Sequence, residues 1–447
     1  MAETASTAVI LIQFVIVLAL ILIGARQGGL GLGIYGMVGV FILVFGFGMA
    51  PGKVPLDVML IIVSVITAAS VLQATGGLDY LVDVAARFLR KHPSRITYFG
   101  PLVCWLFCIV AGTAHTCYSL LPIISDVATR SRIRPEKPLS VSVIAASLGI
   151  TSSPVSAATA AIISTDLLGG SGLELIDVLI VAWPSSFIAI LIASWVQNRI
   201  GKDLTEEQAL AAMKHGPKIQ ESASAQDPVA HRRARNSVWA FLFGVALVIL
   251  LGSCPSLRPV YDTANGPVQL TMAESIEIVM MAATALIIIV GKPKIQDAVR
   301  GNVFAAGMTA VVAIFGIAWM GDTYFGGHLA YFKEHIEQIV THYPYLFSVA
   351  LFIMSIMLFS QAATVRTLYP LGLGLGISPW ALLAMYPAVN GYFFLPNYPT
   401  TVAAISFDPT GTTRVGRYLI NHSFQLAGFI TTIVSISLGA LIVTFLH

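Results

Sequence analysis

Four short stretches of this chain place small hydroxyl and amide side chains where long apolar runs would otherwise continue. They are Gly112-Thr113-Ala114-His115-Thr116, Thr151-Ser152-Ser153-Pro154, Ser360-Gln361-Ala362-Ala363-Thr364 and Leu395-Pro396-Asn397-Tyr398-Pro399. Side chains of this size hydrogen-bond a carboxylate without crowding it. A break inside an apolar run also leaves a new helix start, whose free N–H groups and positive dipole end favour an anion. Such starts are expected near Thr116, Ser156, Thr364 and Thr400, with Pro154 and Pro399 where a helix resumes, the position proline tolerates best. The candidate ligands are therefore Thr113, His115, Thr116, Ser152, Ser153, Ser156, Thr159, Gln361, Thr364, Asn397, Thr400 and Thr401.

Charged residues add to this set. Arg366 lies two residues beyond the third stretch, inside an apolar run. Arginine at a bilayer centre costs about 2.5–3.5 kcal/mol on insertion scales, so it needs a partner. A substrate carboxylate supplies one by bidentate pairing; snorkelling, or pairing with Asp408 or Glu334, would satisfy it as well. His115 reads as a ligand, a proton carrier or a residue bonded within the bundle. Asp408 reads equally as a coupling carboxylate and as a helix-terminal residue.

The elements that must position these groups are membrane helices. Of 447 residues, 56% are hydrophobic and 11% charged, against about 25% charged in a soluble domain. Runs such as Val9–Gly24, Val58–Leu72, Ile176–Val196 and Ile420–Leu446 approach or exceed the roughly 20 residues that cross a hydrocarbon core of about 30 Å. The composition predicts an all-α polytopic membrane protein and excludes soluble enzymes. A net charge of +3 gives no support for nucleic-acid binding, and the four cysteines match no zinc or CxxC spacing. Met1–Thr7 lacks the basic start of a signal peptide, so the first run reads as a retained helix.

Basic residues cluster at 87–95, at 130–137, in the polar segment 199–235 and at 292–300, whereas other connections carry few. The positive-inside rule puts these clusters in the cytoplasm. Ile96–Val127 would be about 48 Å as one helix, too long for one span and too short for two. Both its flanks are basic, so it is expected to enter and leave on one side as a re-entrant hairpin, about 96–127. Leu139–Leu168 is expected to be a broken helix, since irregular backbone at that depth is tolerated only when buried in protein or lining a cavity.

The same pair recurs as a hairpin at about 345–371 and a broken helix at about 379–408. Thr116 and Thr364 each precede a proline by six residues, and P-x4-T-x-A-x-I-S-x-D is met from Pro154 to Asp166 and from Pro396 to Asp408. The flanking charges of the two copies are opposite in character, which predicts two inverted-topology repeats. They span 1–198 and 237–447, with five transmembrane helices (one discontinuous) and one hairpin each. Residues 199–236 read as a mostly flexible cytoplasmic linker, and both termini are expected in the periplasm.

Over nearly its whole length the chain resembles the anaerobic C4-dicarboxylate transporter (Dcu) family. The most specific stretches are Gly112–Ala128, Arg132–Ala158, Ser360–Gly372 and Leu395–Phe424. The family looks related to a larger set of ion transporters with paired re-entrant hairpins. The resemblance implies fumarate, succinate, malate and aspartate as substrates, a Gram-negative inner membrane, and exchange of external fumarate or aspartate for internal succinate. The expected partners are these dicarboxylates and the lipid bilayer; nothing in the sequence fixes a homo-oligomer. No cofactor or metal is expected, although helix C-termini at the breaks could hold Na⁺, which keeps Na⁺- or H⁺-coupled uptake open. A channel would need a continuous polar pore. An intramembrane hydrolase would need more than His115 and Ser119 one turn apart, since no G-x-S-x-G context accompanies them.

Overall fold

The computed structural model describes residues 7–27, 29–215, 227–263, 266–332, 334, 342–358, 360–395, 398–415 and 421–446. Nineteen α-helices lie among them. The first half holds α1 (Thr7–Arg26), α2 (Gly29–Phe41), α3 (Leu56–Ala74), α4 (Gly77–Lys91), α5 (Ile96–Ala111), α6 (Cys117–Arg130), α7 (Glu136–Thr151), α8 (Ala157–Ile162) and α9 (Leu175–Arg199). The connection carries α10 (Glu206–His215). The second half holds α11 (Pro228–Ser253), α12 (Met272–Gly291), α13 (Ile295–Arg300), α14 (Asn302–Gly327), α15 (Phe347–Leu358), α16 (Gln361–Gly374), α17 (Pro379–Ala384), α18 (Pro399–Ser406) and α19 (Gln425–Leu446).

Eight of these are long and apolar enough to cross a membrane: α1, α3, α5 with its leading turn, α9, α11, α12, α14 and α19. Their outward faces expose Leu11, Val15, Trp239, Phe243, Ile289 and Ile433, side chains that hydrocarbon accommodates and water does not. Helix ends follow from local chemistry. Glu174 with Asp177 starts α9 and Thr271 with Glu274 starts α12, each as a reciprocal capping box. Gly112 (φ +66°) ends α5 in the left-handed conformation, its N–H donating to Cys108 O at 2.9 Å.

Two features depart from the sequence reading. The fold is not purely helical: Val260–Thr263 and Gly266–Gln269 pair antiparallel, Val260 opposite Gln269, with Val260, Tyr261, Thr263 and Val268 supplying residues that favour strands. The connection between the halves is also structured at its start. The buried Lys137 Nζ pairs with Asp203 at 2.8 Å and donates to Asn198 O at 3.2 Å, and Leu204 N donates to Arg132 O at 2.8 Å. Ala209 and Ala212 of α10 are buried, so α10 docks through its small face.

A close helix crossing joins α2 to α14. A Cβ on Gly33 would lie 2.1 Å from Val312 O, one on Gly36 2.4 Å from Gly316 C, and one on Gly316 1.8 Å from Gly33 O. Only glycine lets the two backbones meet, the usual device where lipid supplies no hydrophobic drive. Gly316→Leu should therefore force α2 and α14 apart. Overpacking costs typically 1–3 kcal/mol or more, so thermal unfolding of the solubilised protein should shift down. Gly326→Leu in the same helix, where a Cβ meets nothing within 4 Å, should leave it unchanged.

Candidate functional site

Both pairs of helices that flank the tips run antiparallel. In the first, Cys117 Sγ at the start of α6 lies 3.2 Å from Cys104 Sγ of α5, and further along α6 Ile124 meets Gly100, nearer the start of α5. In the second, Phe347 at the start of α15 faces Gly372 near the end of α16. At the first tip a 3₁₀ turn, Ala114–Thr116, leads into α6, and Thr116 Oγ1 donates to Thr113 O at 3.2 Å. The side chain of His115 lies outside the described residues. At the second, Ser360 Oγ caps α16 by accepting from Ala363 N at 3.2 Å, and Thr364 Oγ1 donates to Ser360 O at 2.8 Å.

The break between α7 and α8 is bonded throughout. Ser152 Oγ shares a 3.1 Å bond with Ser186 Oγ, and Ser152 O accepts from Trp183 Nε1 at 2.8 Å. Ser153 Oγ donates to Ile109 O at 2.6 Å. Ser156 Oγ accepts from Thr159 N at 3.1 Å and donates to Thr159 Oγ1 at 3.1 Å. The helix thus resumes at Ala157, capped by Ser156, and not at Pro154, which sits in the preceding turn. A serine hydroxyl that bonds the N3 amide fixes a helix start more strongly than a proline merely tolerated there. In the second half Pro399 does open α18. The stretch before that break, Tyr386–Phe393, is 3₁₀ and non-helical at Asn390. Asn397 lies outside the described residues. Thr401 Oγ1 donates to Tyr398 O at 2.6 Å, and buried Thr400 Oγ1 has no partner among the described residues.

Tips and breaks meet around a cavity of about 620 Å³, within the roughly 300–1,000 Å³ typical of ligand pockets. The first tip contributes Gly112, Thr113 and Ala114; the second contributes Ser360, Gln361 and Ala362. Ile150, Ala157 and Ala158 come from one break and Tyr398 and Pro399 from the other, with small residues of α14 closing the wall. Gln361 ties the halves together at this point. Its Nε2 donates to Asn390 Oδ1 at 2.9 Å and Tyr392 OH at 2.8 Å in its own half, and to Ser147 O at 3.2 Å in the other.

Of the residues expected as ligands, Thr113 and Gln361 face the cavity. Thr116, Ser152, Ser153, Ser156, Thr159, Thr364 and Thr401 bond the backbone or one another behind it, as described above. Sequence reasoning passed over Arg26, Thr309, Ser360 and Tyr398, which also line the wall. Ser360 and Tyr398 were legible, since both lie inside the polar breaks; Arg26, just past the first apolar run, carried no signal that set it apart.

Arg366 is buried and takes a partner that the sequence reading did not consider. Nη1 and Nη2 donate to Asp166 Oδ1 and Oδ2, both at 2.8 Å, and Nη1 donates to Ser164 Oγ at 3.1 Å. Asp166 follows α8, so this fork joins the first half to the second. Asp408, its counterpart in the repeated motif, instead accepts from Thr410, Thr412 and Thr413, folding its own loop. Removing one member of a buried ion pair costs about 3–5 kcal/mol, less here because Asp166 is about one-third exposed. Asp166→Asn and Arg366→Gln should each lower the thermal stability of the solubilised protein, and the double variant should lose less than the sum. Unchanged stability with weakened substrate binding would assign the guanidinium to the ligand instead.

Three comparisons bear on what this arrangement is. Residues 9–447 match the family model described as anaerobic C4-dicarboxylate membrane transporter. The chain is 39% identical over 441 residues to the anaerobic C4-dicarboxylate transporter DcuB of Escherichia coli O6:H1, covering 96% of this chain and 97% of that one. It is 37% identical to the C4-dicarboxylate transporter DcuA of Helicobacter pylori J99 (96% and 97% covered) and 34% identical to DcuA of Escherichia coli K12 (98% and 100%). The crystal structure of the Alcanivorax borkumensis YdaH transporter shares the fold, with a TM-score of 0.56 at 15% identity over 91% of this chain and 88% of that one. A multi-pass helical bundle, matched from end to end by proteins that are transporters and not enzymes, belongs to the anaerobic C4-dicarboxylate membrane transporter family.

Proposed function

We propose that the protein exchanges C4-dicarboxylates (fumarate, succinate, malate and aspartate) across a bacterial inner membrane by alternating access. One observation carries this reading: a single cavity is walled by both helix tips and by both breaks. The starts of α16 and α18 reach this wall at Gln361 and Pro399, and the positive dipole ends there favour carboxylate oxygens. Thr113, Ser360, Gln361 and Tyr398 supply polar contacts, while Thr116, Ser156, Thr159, Thr364 and Thr401 hold the backbone that presents them. An empty site would close over unneutralised positive helix ends, whereas a bound dianion compensates them. That difference favours exchange over the return of an empty carrier.

The reading includes inverted repeats with re-entrant hairpins and periplasmic termini. Matching contacts support the repeat: α6, which leaves the first tip, packs on α18 after the second break, and α16 packs on α8 after the first. α4 packs on both α5 and α6, as expected if both ends of that hairpin lie at one surface. Cysteine at Ser131 should then label only from the cytoplasm, and cysteine at exposed Ser171 only from the periplasm. Labelling of both positions from one side would remove the inverted arrangement.

Counterflow in proteoliposomes tests the activity. Labelled fumarate should enter vesicles loaded with succinate and not empty ones, regardless of Na⁺ or pH gradients. Uptake into empty vesicles driven by either gradient would replace exchange with ion-coupled uptake. Non-saturating flux would indicate a channel.

A further inference from the structure

The cavity wall carries one cation among the described residues, and it is not Arg366. Arg26, the last residue of α1, borders the cavity, and no carboxylate does. None of the ion pairs among the described residues involves Arg26, and its side chain is exposed. The other polar side chains on the wall, Thr113, Thr309, Ser360, Gln361 and Tyr398, are neutral. Arg366 cannot supply the charge in this arrangement, because both its Nη atoms are engaged by Asp166.

The position of Arg26 is fixed by its neighbours. A Cβ on Gly24 would lie 3.0 Å from Gly31 O, and one on Gly31 2.8 Å from Gly24 O, so α1 and α2 meet backbone to backbone just before the turn. Beyond it, Gln27 Nε2 donates to Tyr35 OH at 3.1 Å. The turn carrying Arg26 is thus clamped from both sides, and α2 is in turn seated on α14, which builds another wall of the same cavity. A guanidinium with no counter-charge among the described residues, carried on a fixed turn beside neutral donors and helix starts, matches a ligand with two separated anionic groups. The helix starts bind one carboxylate, and a planar fork binds the other.

We infer that Arg26 contacts the second carboxylate of the substrate and sets the preference for dicarboxylates over monocarboxylates. This rests on the reading of the cavity as the substrate site. Full-length protein carrying Cys254→Ser, which removes the one exposed cysteine, provides the background for Arg26→Cys. Losing the charge should raise the half-saturating concentration for dicarboxylate exchange roughly tenfold or more and leave monocarboxylate competition nearly unchanged. Aminoethyl methanethiosulfonate, which restores a positive charge, should recover exchange, and the anionic sulfonatoethyl reagent should not. Succinate should slow the labelling, while a monocarboxylate at equal concentration should slow it less. Arg26→Lys serves as the folding control and should keep most of the discrimination.

Three results would overturn the assignment: equal loss of dicarboxylate and monocarboxylate binding, recovery with the anionic reagent as well as the cationic one, or labelling that succinate does not slow. If the parent protein itself exchanges no dicarboxylate, the function proposed for the cavity fails instead, and that outcome is read from the parent before any variant is made.

Discussion

A peptide group that leaves a helix inside hydrocarbon must find another partner, and this constraint shapes the centre of the molecule. The chain interrupts its helices at four places and satisfies the freed groups mostly with short hydroxyls. Ser153 reaches Ile109 O on α5, Trp183 reaches Ser152 O, Ser156 caps α8 and Ser360 caps α16. The first two bonds also tie the break to α5 and α9, and the two caps fix where α8 and α16 begin. Gly112 shows how tight the result is: a Cβ there would come 2.7 Å from Val155 O, which sets the first tip directly on the first break.

The two arginines near this centre illustrate how burial decides a charge's role. Arg366, enclosed and forked onto Asp166, is neutral in sum and joins the two halves of the chain. Arg26, exposed at the end of α1, keeps its charge available. A guanidinium locked in a buried pair gives up that pair at high cost, whereas an exposed one at a cavity wall gives up little to meet an anion. A second cross-half pair, Arg258 with Glu174 at 2.6 Å, is likewise part-buried and joins the loops ahead of α9 and α12. Ion pairing here links the halves in more than one place.

The sequence made the local interruptions legible, because polar residues inside apolar runs have no other ready explanation. Thr116, Ser156 and Pro399 stand at helix starts as their chemistry required. What could not be read were partners brought together by tertiary packing. Asp166 and Asp408 occupy the same place in a repeated pattern, yet one meets a distant guanidinium and the other folds its own loop. Ser360 and Gln361 are neighbours of similar polarity, and only the packing of α16 on α14 and α8 turns both toward the cavity. The start of the connection between the halves looked like solvated linker by composition. Its order comes from Lys137 and Arg132, far away in sequence.

The glycines, alanines and capped helix starts around the cavity have a consequence for how such a site evolves and is mapped. Much of its surface consists of amide groups and methyls, so replacing side chains one at a time by alanine leaves much of it untouched. Selectivity in this architecture is accordingly encoded in where the chain bends. Among relatives it should diverge through insertions, prolines and cap residues at the breaks more readily than through exchange of polar contacts.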